Sequence, residues 1–140
     1  MASKHQLTGM AGVYLVAAEL SKRGFIASPT SRSAQGADLL VTDTECKRSY
    51  AVQVKTNATT FKFWLLSKIA QTFQSKTLIY ALVNLRKGTT EYYLVPSSYV
   101  ARHIRISKPS KTSKSIWYSI HIDDMMEKKF RDNWSIFNAK

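Results

Sequence analysis

Residues 36–56 read GADLLVTDTECKRSYAVQVKT, and this stretch predicts a β-hairpin. The first strand covers 37–42 with Asp38 at its start, a polar turn occupies 43–48, and the second strand covers 49–56. In the second strand Tyr50, Val52 and Val54 alternate with Ala51, Gln53 and Lys55. Side chains on a strand repeat every two residues, so Gln53 and Lys55 share a face. An acid, an amide oxygen and an amine can therefore converge from two adjacent strands. Oxygen donors beside a cation suit a divalent metal and a phosphate.

The flanking sequence builds outward from this hairpin. Residues 7–23 carry Val13, Val16, Ala17 and Leu20 at helical spacing, which predicts a helix capped by Thr8 and ended by Gly24. Gly9 and Gly12 either allow close packing or mark a later helix start. A short strand at 25–28 leads into the polar loop 29–35, where Arg32 is a candidate phosphate contact. Beyond the hairpin, residues 61–66 predict a strand and 67–74 a short helix or irregular link. The run TLIYALVNL at 77–85 is nearly all apolar, as in a strand buried on both faces. A turn at 86–90 returns the chain through a strand at 91–95. Ser97 then caps a short helix reaching 104, a basic loop spans 106–115, and 116–122 form a last strand. Asp123 caps a helix over 124–137 with Met126, Phe130, Trp134 and Phe137 as its buried stripe. The chain is thus read as one α/β domain over 1–140, a central mixed sheet between an N-terminal and a C-terminal helix. Trp64, Tyr92, Tyr93, Trp117 and Trp134 are read mostly as core, with base stacking the lesser alternative.

Charge narrows the function. The net charge is +12 over 140 residues, which points to a polyanionic partner. No Asp or Glu occurs in residues 46–90 or 97–122. Those runs supply Lys47, Arg48, Lys62, Arg102, Arg105, Lys108, Lys111 and Lys114 as candidate nucleic-acid contacts. The basic residues do not gather on one long amphipathic helix, so a membrane surface is the weaker partner. No apolar run approaches the roughly 20 residues of a membrane span. No secretory leader is evident, and Cys46 stands alone, which fits a reducing cytoplasm and excludes a cysteine-rich zinc site. The three histidines lack metal-ligand spacing.

The stretches AGVYLVAAELSKRGF, GADLLV and AVQVKT, in that order, resemble the PD-(D/E)XK nuclease superfamily, which includes restriction endonucleases and Holliday junction resolvases. The resemblance covers about the first 60 residues by motif. It implies a restriction-endonuclease-like fold and a nuclease dependent on Mg²⁺ or Mn²⁺, acting on duplex or branched DNA. In such a nuclease Asp38, Gln53 and the Val54 carbonyl are metal ligands, and Lys55 positions the attacked phosphate or the water. Gln53 stands where the superfamily usually has an acid. Val13 stands where many members have a glutamate, which leaves Glu19 as the candidate accessory acid of the helix. A carboxylate beside Lys55 is expected to keep its amine protonated. A homodimer would suit a double-strand cut, and a nucleoid-associated cytoplasmic location would suit the substrate. The alternatives are a nuclease-fold protein that binds DNA without cutting it, or an RNA-directed protein.

Overall fold

The computed structural model describes residues 1–31, 36–112 and 114–138. Helix α1 (Lys4–Lys22) begins before Gly9 and Gly12. Its cap is Ser3, not Thr8. Ser3 Oγ accepts from the Gln6 N–H and the Gln6 side chain accepts from the Ser3 N–H, so two orphan donors of the first turn are satisfied reciprocally. The chain leaves the helix through Gly24, as expected, at φ 90°.

Six strands follow: β1 (Phe25–Pro29), β2 (Leu39–Asp43), β3 (Ser49–Asn57), β4 (Phe63–Leu66), β5 (Leu78–Asn84) and β6 (Glu91–Pro96). Five form a sheet of order β1-β2-β3-β5-β6. The predicted hairpin is β2–β3, with Leu39 opposite Val52 and Thr42 opposite Ser49. Its turn is tied by Asp43, whose Oδ1 accepts from the Lys47 N–H at 2.8 Å. That bond is the main reason its carboxyl lies below the usual carboxylate range. β3 and β5 run parallel, with Val52 beside Ile79 and Lys55 beside Leu82. Parallel neighbours need a crossover, and β4 lies within this one.

Helix α2 (Ser97–His103) follows β6. Pro96, not Ser97, occupies its cap position. Ser97 is buried instead, with its Oγ donating to the Ser75 carbonyl at 2.9 Å and accepting from the Ser75 N–H at 3.0 Å. The hydroxyl so ties the end of the crossover to the helix. β7 (Arg105–Ser107) and β8 (Trp117–His121) then join β4 in a second sheet of order β4-β8-β7.

The last segment departs from the sequence expectation. In place of a helix over 124–137, α3 (Asp124–Phe130) ends at Arg131 and a 3₁₀ turn covers Trp134–Asn138. Arg131 bridges to Tyr93 at the edge of β6, and the Asp132 N–H donates to the Tyr92 carbonyl. Arg131 also pairs with the buried Glu91 at 3.3 Å and with Glu127 at 3.1 Å. The reason for the break lies in the destinations of the apolar residues. Phe130 packs with Trp64, Tyr80, Leu82, Val95 and Ile120 on one face of the large sheet. Trp134 and Phe137 pack with Val16, Leu20, Val52 and Val54 on the other. One straight helix cannot serve both faces, so the chain turns around the β6 edge.

Of the two roles open to Gly12, the structure selects close packing. α1 lies on β1 and β3, and a Cβ at Gly12 would overlap Thr56 Oγ1 and lie 2.9 Å from Thr56 Cβ. Alanine normally favours a helix interior over glycine by about 1 kcal/mol. Here overpacking outweighs that gain, because Thr56 is β-branched and stands on a central strand. Gly12→Ala is expected to destabilise the fold by about 2 kcal/mol net. A thermal melt should show Tm lower by roughly 6 °C; an unchanged or raised Tm would show that α1 is free to shift on β3.

Candidate active site

The backbone around Asp38 is pinned on both sides. The Asp38 N–H donates to the Val52 carbonyl at 2.8 Å, and the Asp38 carbonyl accepts from the Thr30 N–H at 2.9 Å. Gly36, at φ 86°, leads into this position, and a Cβ there would enter the ring of Phe73. The β2–β3 register ends with Leu39 opposite Val52, the residue whose carbonyl also receives the Asp38 N–H. Side chains alternate along a strand, so Gln53 and Lys55 stand on one face of β3. Val52 and Val54 turn to the other face and pack in the core that holds Val16 and Leu20 of α1.

Asp38 Oδ2 accepts from the Val54 N–H at 2.8 Å. β2 has already ended at that level, so the carboxylate takes the place of the next rung of the ladder. A strand residue directs its N–H and C=O to the same side. The Val54 carbonyl therefore leaves β3 on the edge where the Asp38 carboxylate sits. Lys55 is partly buried beside them. Burial pushes its amine below the ordinary lysine value, and the Asp38 charge opposes but does not cancel that shift. The sequence expectation weighed only the carboxylate. Desolvation is the larger effect, because Lys55 lies in a groove walled by Trp64 and Leu65 of β4.

α1 forms the other wall. His5 and Gly9 line that groove of about 320 Å³ with Lys55, Thr56 and Asn57. Met10, Val13 and Tyr14 line a smaller cavity of about 130 Å³ with Asp38, Pro29 and Thr30. Gln53 lines neither. Val13 thus faces the cavity that Asp38 borders, at the position where a glutamate was the expectation from the resemblance. Thr56 Oγ1 is buried without a hydrogen-bond partner among the described residues. His5 carried no motif of its own in the sequence. Its spacing of four from Gly9 was the available signal, since such residues stack on one helical face.

The remaining candidates lie elsewhere. Glu19 pairs with Lys22 at 3.3 Å and Arg23 at 2.6 Å, both at the C-terminal end of the helix. The structure therefore brings it to the end of α1 and not to Asp38. Arg32 falls outside the described residues. Lys47 pairs with Glu45 at 2.7 Å, Arg48 with Asp43 at 3.4 Å, and Lys62 with Asp124 at 3.4 Å. All three pairs are exposed and of small energetic worth. Among the described residues Arg102, Arg105, Lys108, Lys111 and Lys114 form no ion pair and are exposed. Trp117, expected mostly in the core, is 51% exposed. Among the described residues no three His, Cys, Asp or Glu side chains cluster as a metal site. No helix among them is long and apolar enough to cross a membrane.

A mixed five-stranded sheet with an N-terminal helix packed against it is a restriction-endonuclease-like fold. Two solved structures share it. The Holliday junction resolvase Hjc of Archaeoglobus fulgidus, an archaeal hyperthermophile, superposes with TM-score 0.51 at 16% identity, over 87% of this chain and 88% of that one. A bacterial homing endonuclease superposes with TM-score 0.55 at 15% identity, over 97% of this chain and 91% of that one. At these identities the likeness is one of fold. No protein-family model matches the sequence, and no curated protein matches it.

Proposed function

We propose that the chain is a metal-dependent endonuclease that hydrolyses phosphodiester bonds in DNA. The observation that carries this reading is the Asp38 carboxylate, fixed on the Val54 N–H beside the partly buried Lys55. The donors this reading uses are the Asp38 oxygens, the Gln53 amide oxygen and the Val54 carbonyl. An all-oxygen set with a single carboxylate fits Mg²⁺, which commonly takes one or two carboxylates and leaves the rest of its shell to water and substrate phosphate. Mn²⁺ accepts the same donors. When bound, such an ion supplies charge neutralisation and an activated water.

The chain's own residues do the remainder. Asp38 and Gln53 hold their oxygens on a rigid sheet. The Lys55 ammonium, in its partly dry groove, neutralises charge that develops on the phosphate. Its lowered pKa also lets the amine deprotonate at a lower pH than an exposed lysine. The free cations Arg102 to Lys114 contact the DNA backbone, which positions the substrate without reading its sequence. Cutting both strands with one site per chain calls for two copies, and a homodimer is part of the proposal.

The test is a time course on duplex, single-stranded and four-way-junction DNA with Mg²⁺, Mn²⁺ or EDTA. Cleavage that requires the metal supports the proposal and names the substrate. DNA binding without cleavage under any metal would overturn it and leave a nucleic-acid-binding protein on a nuclease fold.

A further inference from the structure

The small sheet β4-β8-β7 buries one face and leaves the other open. Trp64, Leu66 and Ile120 turn inward to the core. The register sets Phe63 opposite His121, Leu65 opposite Ser119, and Ser119 opposite Arg105. Alternation along β8 adds Trp117 to the same open face. Phe61 is 48% exposed, Phe63 38% and Leu65 50%. The rings are already ordered for stacking. Phe63 lies on His121 with centroids 5.3 Å apart and planes 20° from parallel, and Phe61 lies 5.6 Å from Phe63. Burial and the nearby Arg105 hold the His121 ring below the usual imidazole range, so the stack is uncharged at neutral pH.

We infer that this face binds unpaired bases of a DNA strand, by stacking on Phe63, His121 and Trp117, next to the Lys55 groove. Three observations select that occupant. All three strands come from the two acid-free runs of the chain, 46–90 and 97–122, so the face has no carboxylate of its own to repel phosphates. Arg105 stands on the face itself, and Lys108, Lys111 and Lys114 follow it. Leu65 belongs both to the open face and to the groove that holds Lys55, so a strand on the sheet runs on toward the candidate catalytic groups. A second copy of the chain fits less well, because a two-fold contact would oppose these cations to themselves. Every base has a stackable face, so such binding tolerates any sequence.

The inference takes its substrate from the nuclease reading, but its test does not depend on cleavage. Oligothymidylate is titrated in EDTA while intrinsic fluorescence is followed. Trp64 and Trp134 are buried, so Trp117 is the tryptophan a base can reach. Emission is expected to fall on binding, and Trp117→Phe should abolish that quench. Phe63→Ala should weaken oligothymidylate binding about tenfold and leave the slope of log affinity against log salt unchanged. Arg105→Ala should reduce that slope by about one phosphate. Because Phe63 and Trp117 are exposed, the variants should melt and elute as the wild type does.

Two results would overturn the inference: Phe63→Ala binding oligothymidylate as tightly as wild type, or Phe63→Ala converting an oligomer to a smaller species, which makes the face a self-interface. A quench that survives in a protein unable to cut DNA would sink only the nuclease reading. Metal-dependent cutting with no quench would sink only this one.

Discussion

Asp38→Asn is expected to slow metal-dependent DNA cleavage by about 10³-fold, because it removes the one carboxylate of the donor set. The asparagine oxygen can still accept the Val54 N–H that Asp38 Oδ2 now accepts at 2.8 Å. Fold and charge are thereby separated. Asp38→Ala would strip both, and the unpaired Val54 N–H would cost about 1–2 kcal/mol in addition. The pair of variants makes the comparison informative. Cleavage rates, Mn²⁺ titration calorimetry and thermal melts on both should give equal losses of activity and metal binding, but a lower Tm only for Asp38→Ala. Cleavage by Asp38→Asn near the wild-type rate would move the metal site elsewhere.

Lys55→Met should lower the cleavage rate by about 10²–10³-fold, the usual loss when one preorganised electrostatic stabiliser is removed. It should raise stability at neutral pH. The sign follows from the direction of the Lys55 shift. Burial disfavours the ammonium in the folded state, so the folded pKa lies below the unfolded one. Below the folded value both states are charged, and the native state carries the full desolvation cost. Between the two values the unfolded chain holds more protons, so stability rises with pH across that window. Methionine has no charge to desolvate and fills a similar volume. The Tm advantage of Lys55→Met should therefore be greatest at neutral pH and shrink as pH rises toward the ordinary lysine value. A Tm lower than wild type at neutral pH would mean that attraction to Asp38 exceeds the cost of burial. The activity loss and the stability gain together describe a residue kept for chemistry and not for folding.

The hairpin of β2 and β3 was legible in the sequence because its signal is local. Alternating apolar residues set the faces, and the turn between them needed only polar residues. The apolar run of β5 likewise announced a doubly buried strand. The end of α1 at Gly24 and the Asp123 cap of α3 also depend on neighbouring residues alone. The placement of Gln53 and Lys55 on one face followed from strand alternation.

The tertiary structure decided the rest. Periodicity joined Phe130, Trp134 and Phe137 into one stripe, but two cores on opposite faces of the sheet divide them. Nothing local to residues 124–137 encodes which face each will meet. The Ser97 hydroxyl went to Ser75, some 22 residues away in sequence, and not to its own helix. Gly12 awaited its contact with Thr56 to reveal close packing. The shift of Lys55 had the same origin. Its partner Asp38 was visible in the sequence, but the β4 wall that dries its groove comes from the crossover. The open face of Phe63, His121 and Trp117 exists because β4 and β8 pair across more than 50 residues. The sequence alone determined which side chains alternate and which charges are in surplus, since those depend on order along the chain. Only the fold decided which of them lose water and which keep it, since desolvation depends on every segment packed nearby.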